Sequence, residues 1–281
     1  MLLGMNLLLW TRDVLPQHYE LFDTLAATGY DGVELPVMAG SDAQYRDIGR
    51  ALDGLGLRRT GLTVLPAGAS CISDDAPVRQ AALDHIRWAV DRLAEAGGEV
   101  LCGPYHQPLF QIHGRPPTPL EIERVVDIHT LAADHAAACG IRLAMEPLNR
   151  FECYVCTTAG EAAAIVAQVG RANYGFLYDT FHANIEEKDP LAALHAAWAK
   201  GHVNHVHISE NDRGTPGRGH AKIRETIAAL KALGYDGWLT IEAFGKALPE
   251  LAAATRVWRD FFASPEEVYT EGYRYIRECW G

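Results

Sequence analysis

The chain has 281 residues, of which 48% are hydrophobic and 22% are charged, and its formal net charge is -11. This length and composition suit one large hydrophobic core, and a single (β/α)8 barrel of about 250 residues is common at this size. The acidic balance disfavours a nucleic-acid partner, because proteins that bind phosphates concentrate lysine and arginine.

The first residues, MLLGMNLLLWTRD, are apolar but lack the basic segment and cleavage site of a signal peptide. The apolar run is also much shorter than the roughly 20 residues that span a bilayer. We therefore expect a cytoplasmic protein with no membrane partner. Six cysteines are too few for a disulfide framework, and the single C-x-x-C, Cys153 to Cys156, has no second half to complete a zinc site. We expect reduced thiols.

Short apolar runs alternate with helix-like stretches along the whole chain, and several of the helical stretches stop at glycine. Strands are predicted at residues 4–9, 31–35, 58–64, 99–103, 141–146, 174–179, 202–208 and 237–242. Eight strands with connecting helices predict an α/β protein, a (β/α)8 TIM barrel formed by residues 1–281 as one domain. Residues 104–118 form a lid-like loop after the fourth strand, and residues 264–280 predict an additional C-terminal helix.

Four chemically useful side chains lie at or near the ends of successive predicted strands: Glu146, Asp179, His207 and Glu242. One polar residue at a strand end is ordinary, but four are not. Strand C-termini converge on one mouth of a barrel, where three carboxylates and an imidazole suit a hard or borderline divalent ion. Mn²⁺ is the first choice, with Mg²⁺ or Co²⁺ as alternatives. Such an ion can stabilise the ene-diolate formed beside a carbonyl.

Polar residues inside the apolar strands need partners. Asn6 is interpreted either as a structural hydrogen-bonding residue or as a substrate contact, and Glu34 as a support behind the site. His205 shares its strand face with His207 and is expected to lie deeper in the barrel. Among the aromatic residues, Phe244 is the best candidate for a wall beside the substrate, because it follows Glu242 by two residues.

The segments MEPLNRFE, YDTFHANIEE, HVHISENDRGTPGRGH and TIEAF resemble the sugar isomerase and epimerase superfamily of xylose isomerase-like TIM barrels. The resemblance is greatest to the ketose 3-epimerases, which act on D-tagatose, D-allulose (psicose) or L-ribulose. It implies reversible C3 epimerisation of a free ketose through a cis-enediolate, with Glu146 and Glu242 as catalytic residues on opposite faces of C3. Both also bind the metal, together with Asp179 and His207.

The same resemblance implies that Glu152, His182 and Arg213 contact the oxygens around C1 to C3, and that the protein is a homodimer or homotetramer. The chain departs from many hexose-specific members, which have a tyrosine-rich first strand and a tryptophan in the loop after the fourth strand. It has Asn6 and the sequence PYHQPLFQ instead. The choice between C5 and C6 sugars therefore stays open.

Three alternatives remain at this point. An aldose–ketose or hydroxypyruvate isomerase of the same superfamily would move protons between C1 and C2. An endonuclease-like metal hydrolase needs a histidine-rich multi-zinc site and a basic surface, yet the third strand, TGLTVLPAG, has no histidine and the chain is acidic. A catalytically silent sugar-binding barrel is disfavoured by the intact pair of glutamates.

Overall fold

The computed structural model describes all 281 residues, and it contains eight parallel strands closed into a barrel in sequence order. The strands are β1 (Leu2–Asn6), β2 (Gly32–Pro36), β3 (Arg58–Leu62), β4 (Val100–Gly103), β5 (Arg142–Met145), β6 (Tyr174–Asp179), β7 (Val203–Ile208) and β8 (Trp238–Ile241). The barrel closes where β1 pairs with β8, with Gly4 opposite Thr240. The predicted TIM barrel is confirmed.

Ten α-helices surround the strands. They are α1 (Glu20–Thr28), α2 (Asp42–Asp53), α3 (Ala76–Glu95), α4 (Pro119–Ala138), α5 (Ala159–Val169), α6 (Thr180–Glu186), α7 (Pro190–Trp198), α8 (Ile223–Ala232), α9 (Pro249–Thr255) and α10 (Pro265–Trp280). The pair α6 and α7 shares the β6–β7 connection. The short helix α9 is not signalled by the sequence pattern, whereas α10 is the expected C-terminal helix. No helix combines the length and apolarity needed to cross a membrane.

The first strand is shorter than the sequence predicts. After Asn6 the chain turns into a 3₁₀ helix, Leu7–Leu9, whose start is capped by the Asn6 side chain accepting a hydrogen bond from the backbone N–H of Leu8 (2.8 Å). The prediction of strand over residues 4–9 is therefore wrong in its second half. A short run of leucines carries no periodicity that separates a buried strand from a buried helix.

The chain leaves β4 sharply at Gly103, whose φ of 127° lies in the left-handed region. A Cβ at this position would lie 2.1 Å from the backbone oxygen of Thr63, so only glycine fits. The following loop ends at Thr118, which forms a capping box with Glu121 at the start of α4. The close approach of Gly103 to Thr63 and the capping box at Thr118 thus fix the two ends of the 104–118 loop.

Candidate active site

The four predicted ligands meet at the C-terminal mouth of the barrel. Glu146, Asp179, His207 and Glu242 are all buried, and their ligand atoms lie within 4.8 Å of one another. Nδ1 of His207 is 3.9 Å from Oε1 of Glu146, 3.8 Å from Oδ2 of Asp179 and 3.5 Å from Oε1 of Glu242. This nitrogen is buried and has no hydrogen-bond partner. An unpartnered nitrogen facing three carboxylates at these spacings fits a divalent cation.

Asp179 reaches the cluster because it ends β6 and begins α6. Its Oδ1 accepts hydrogen bonds from the backbone N–H groups of Phe181 (2.6 Å) and His182 (3.4 Å), which caps the helix. Its Oδ2 faces the cluster. Burial alone would raise the pKa of Asp179, but the neighbouring Arg213 guanidinium and His182 hold that pKa well below its usual range. One oxygen therefore orients the carboxylate and the other remains available as an anionic ligand.

Glu34 lies beneath the cluster and fixes His207. Its Oε1 is 2.8 Å from Nε2 of His207, and its Oε2 is 2.7 Å from Nε2 of His205. Three further donors bond this carboxylate: Nδ2 of Asn6 (2.9 Å), Oγ1 of Thr60 (3.0 Å) and Sγ of Cys102 (3.2 Å). Burial opposes ionisation, but both histidines hold the pKa of Glu34 well below its usual range. The contact with Nε2 leaves Nδ1 of His207 as the nitrogen that faces the cluster.

Asn6 has all of its polar side-chain atoms engaged within the protein. Its Nδ2 donates to Oε1 of Glu34 (2.9 Å) and to Oε1 of Glu242 (3.3 Å), while its Oδ1 caps the 3₁₀ helix. This bonded amide beneath Glu242 favours the structural interpretation of Asn6, and its contact with substrate stays a prediction.

The two glutamates of the cluster have raised pKa values. Burial raises the pKa of Glu242 to about 7, partly offset by His207 and Arg213. Burial and the charge of Glu242 raise the pKa of Glu146 well above its usual range. Two close carboxylates resist holding two negative charges unless a cation compensates them. A cation bound between Glu146 and Glu242 would therefore favour the ionised form of both carboxylates.

Arg213 provides the nearest fixed positive charge. Its Nη1 donates to Oε2 of Glu242 (2.7 Å), to Oγ of Ser209 (2.8 Å) and to Oδ2 of Asp179 (3.3 Å). Its backbone φ is 65°, a left-handed conformation that costs a non-glycine residue about 1–3 kcal/mol and is concentrated at functional sites.

Two aromatic rings hold the Arg213 guanidinium. Its central carbon is 3.7 Å from the ring centroid of Phe181 and 4.9 Å from that of Phe244. Phe244 therefore lies beside the site as expected, and it packs on the arginine as well as lining the cavity. Sequence reasoning missed Phe181 and Ser209. The sequence signal for Phe181 was its position between the candidate site residues Asp179 and His182, because arginine side chains pack on aromatic faces.

His182 and Glu152 lie on the same side of the mouth and share Asn149. Nδ1 of His182 accepts a hydrogen bond from the backbone N–H of Asn149 (3.0 Å), and Oε1 of Glu152 accepts one from its Nδ2 (2.7 Å). Burial lowers the pKa of His182 to about 4, so the ring is neutral near pH 7. Its Nε2 is 3.7 Å from Oε1 of Glu146.

These side chains line a cavity of about 170 Å³ above the cluster. Glu146, Glu152, His182, Arg213 and Glu242 form its polar wall. Its apolar wall includes Leu8, Met38, Leu62, Val64, Leu109 and Leu251. Arg12, Glu250 and Thr255 also line this cavity, so a small polar molecule there would meet hydrogen-bonding groups beyond the cluster as well as apolar side chains.

A larger surface cavity, of about 610 Å³, lies between the β3–α3 loop and the 104–118 loop. Its two arginines are already paired, Arg115 with Glu121 (2.7 Å) and Arg124 with Asp74 (2.7 Å). It contains none of the cluster residues. The smaller cavity at the barrel mouth is therefore the candidate active site.

The cysteines take no part in this cluster. All six are free thiols, and Sγ of Cys153 donates to the backbone oxygens of Leu148 (3.4 Å) and Cys156 (3.1 Å). Burial raises the pKa of Cys153 to about 12, which disfavours the reactive thiolate.

Residues 22–279 match the family described as xylose isomerase-like TIM barrel, and the chain belongs to that family. A ketose 3-epimerase from Arthrobacter globiformis is 31% identical over 99% of this chain and 96% of its own length. An L-ribulose 3-epimerase from Methylomonas sp. (strain DH-1) is 30% identical over 90% of this chain and 88% of its own. The crystal structure of a D-allulose 3-epimerase from Methylomonas sp. has 27% identity and a TM-score of 0.91, covering 99% of this chain and 98% of that one. The expected relationship to isomerase-class ketose 3-epimerases is confirmed.

Proposed function

We propose that this chain is a metal-dependent ketose 3-epimerase that reversibly inverts C3 of a free, unphosphorylated ketose. The observation that carries the proposal is the pair of buried glutamates, Glu146 and Glu242, which share one cation-type cluster and both have raised pKa values. The relatives named ketose 3-epimerase support the reaction and the substrate class.

We assign one divalent ion per chain to Glu146, Asp179, His207 and Glu242, with Mn²⁺ as the first choice and Mg²⁺ or Co²⁺ as alternatives. The three carboxylates favour a hard ion, and the unpartnered Nδ1 of His207 completes the donor set. When bound, such an ion supplies Lewis-acid stabilisation for negative charge on the substrate oxygens beside C3.

We assign the proton transfers and the substrate contacts to side chains of this chain. One of Glu146 and Glu242 removes the proton from C3, which gives a cis-enediolate, and the other returns a proton to the opposite face. In the reverse reaction the two glutamates exchange these roles. Arg213, the neutral His182 and Glu152 hold the oxygens around C1 to C3. Phe244 and the apolar wall exclude water from the carbanionic intermediate.

The decisive experiment is turnover in D₂O with Mn²⁺-loaded enzyme, followed by NMR of substrate and product. We expect solvent deuterium at C3 and a 3-epimeric ketose as product. D-fructose, D-allulose, D-tagatose and L-ribulose are the substrates to compare, and their kcat/KM values decide between C5 and C6 sugars. Deuterium at C1 or C2 with an aldose product would instead identify an aldose–ketose isomerase.

We also propose a homodimer or homotetramer, in line with the family relationship. The large apolar side chains of Phe151 and Trp258 are 63% and 70% exposed, which favours a contact with another subunit. Sedimentation velocity with and without Mn²⁺ measures the assembly state, and a monomer at all concentrations contradicts this assignment.

A further inference from the structure

A second cluster of metal-ligating side chains lies on the outer surface, away from the barrel mouth. It consists of Asp91 on α3, His135 in the last turn of α4, and Cys139, which directly follows that helix. Oδ1 of Asp91 is 2.7 Å from Nε2 of His135 and 3.8 Å from Sγ of Cys139. The spacing of four residues puts His135 and Cys139 on one face of α4, toward α3. We propose that these three residues form a separate Zn²⁺-class site that joins the two helices.

The donor chemistry of this surface site differs from that of the active site. A thiolate, an imidazole and a carboxylate together favour a borderline-soft ion such as Zn²⁺, whereas three carboxylates favour a harder one. Three protein ligands leave a fourth tetrahedral position for water. Asp91 is paired with His135 and with no lysine or arginine, so no fixed cation competes for its carboxylate.

Accessibility supports the same assignment. The side chains of His135 and Asp91 are 31% and 44% exposed, and Cys139 is partly buried, so an ion reaches the cluster from solvent. Because both side chains are exposed, Asp91 and His135 can also move apart by a fraction of an ångström. Each then binds the ion in place of their mutual hydrogen bond. Loading of the site releases the Cys139 proton to solvent, since the thiolate is the ligand.

Cobalt distinguishes the two sites spectroscopically, because only the surface site contains sulfur. The experiment uses the full chain, stripped with chelator, supplied with one equivalent of Mn²⁺ and then titrated with Co²⁺. We expect a near-ultraviolet thiolate-to-cobalt charge-transfer band that saturates at one sulfur-ligated Co²⁺ per chain. Added Zn²⁺ should abolish the band by displacement. Absence of the band in the unmodified chain overturns the proposal.

Matched variants locate the band. Cys139→Ser and His135→Ala should remove it, whereas Cys279→Ser should keep it, because Cys279 is also a partly buried free thiol but lies in α10. Zn²⁺ should raise the melting temperature of the unmodified chain more than that of Cys139→Ser. Persistence of the band in Cys139→Ser overturns the assignment. The Mn²⁺-supported epimerase activity of Cys139→Ser should be unchanged, so this proposal and the proposed function fail independently.

Discussion

Two buried clusters inside the barrel share His207 but differ in what they can hold. The upper cluster comprises Glu146, Asp179, His207 and Glu242, and the floor cluster comprises Glu34, Cys102, His205 and His207. In the upper cluster, Nδ1 of His207 stands 3.5–3.9 Å from three carboxylates. In the floor cluster, Nε2 of each histidine stands 2.7–2.8 Å from Glu34. The first spacing accommodates an ion. The second is a contact distance between fully buried side chains, which lack the freedom of the exposed Asp91 and His135 to move apart around an ion. Ligand types alone therefore do not define a metal site.

The largest expected effect comes from breaking the upper cluster. Glu146→Gln and Glu242→Gln each keep the side-chain shape but remove the carboxylate that exchanges the C3 proton. We expect kcat to fall by about 10²–10⁴-fold or more, the range for loss of a general acid or base. Epimerase assays at saturating Mn²⁺ measure the effect, with the exposed Glu123→Gln as control. Full activity in either active-site variant contradicts the two-carboxylate mechanism.

Substitution in the floor cluster should act through the metal rather than through the proton transfer. Glu34→Gln keeps the volume but removes the charge that holds Nε2 of His207. We expect Mn²⁺ affinity to fall by about 10–100-fold, as for other partners of metal-bound histidines. Excess Mn²⁺ should restore most of the turnover.

Calorimetric titration with Mn²⁺ measures this affinity. Thr60→Val is the matched control, because it removes another hydrogen bond to Glu34 (3.0 Å) without touching His207. We expect a smaller change from it. An activity loss in Glu34→Gln that excess Mn²⁺ does not restore would refute a role limited to orienting His207.

The two clusters also differ in how well the sequence predicted them. The four upper ligands were predictable, because each interrupts or follows an apolar run and strand C-termini share one mouth. The floor cluster was only partly predictable. Glu34 and His207 are 173 positions apart and lie on β2 and β7, which are not neighbouring strands. Their contact crosses the barrel interior, so neither strand periodicity nor strand pairing could predict it.

The sequence failed to predict the local structure around Asn6 for a different reason. The run MNLLLW carries no pattern that shows where strand becomes 3₁₀ helix, and the cap at Asn6 depends on the side chain turning back to the N–H of Leu8. Without that turn, Asn6 reads equally well as a substrate contact. The helix α9 escaped prediction because seven residues give too few turns for a helical pattern.

A third effect concerns pH. The pKa of Glu242 is raised to about 7 by burial, so the metal-free folded chain retains a proton that the unfolded chain loses near its ordinary value. The stability of the metal-free chain should therefore fall as pH rises toward and through about 7. Since Mn²⁺ must displace this proton, its release alone should raise Mn²⁺ affinity about tenfold from about pH 6 to about pH 8, and the raised pKa of Glu146 should add to the effect.

Titration of Mn²⁺ in buffers of different ionisation enthalpy counts the protons released. Glu242→Gln should reduce the pH dependence without abolishing it, because the raised pKa of Glu146 also couples proton release to metal binding. Some affinity should remain, since the neighbours of Glu242 still provide three ligands. Equal affinity at both pH values in the unmodified chain would show that Glu242 is already ionised without metal. Glu34 is not expected to contribute, since its low pKa keeps it ionised throughout this range.

The smallest expected effect concerns Arg213, whose guanidinium group contacts the upper cluster and not the floor cluster. Arg213 holds Oε2 of Glu242 and Oδ2 of Asp179, and the ring of Phe181 lies 3.7 Å below its guanidinium. Phe181→Leu keeps an apolar side chain but removes the ring, at a cost of about 0.5–2 kcal/mol. That corresponds to a loss of roughly 2- to 30-fold in kcat/KM. Phe181→Tyr retains the aromatic face and should retain the activity. Equal losses in both variants, at unchanged melting temperature, would mean that steric fit rather than the ring face positions Arg213.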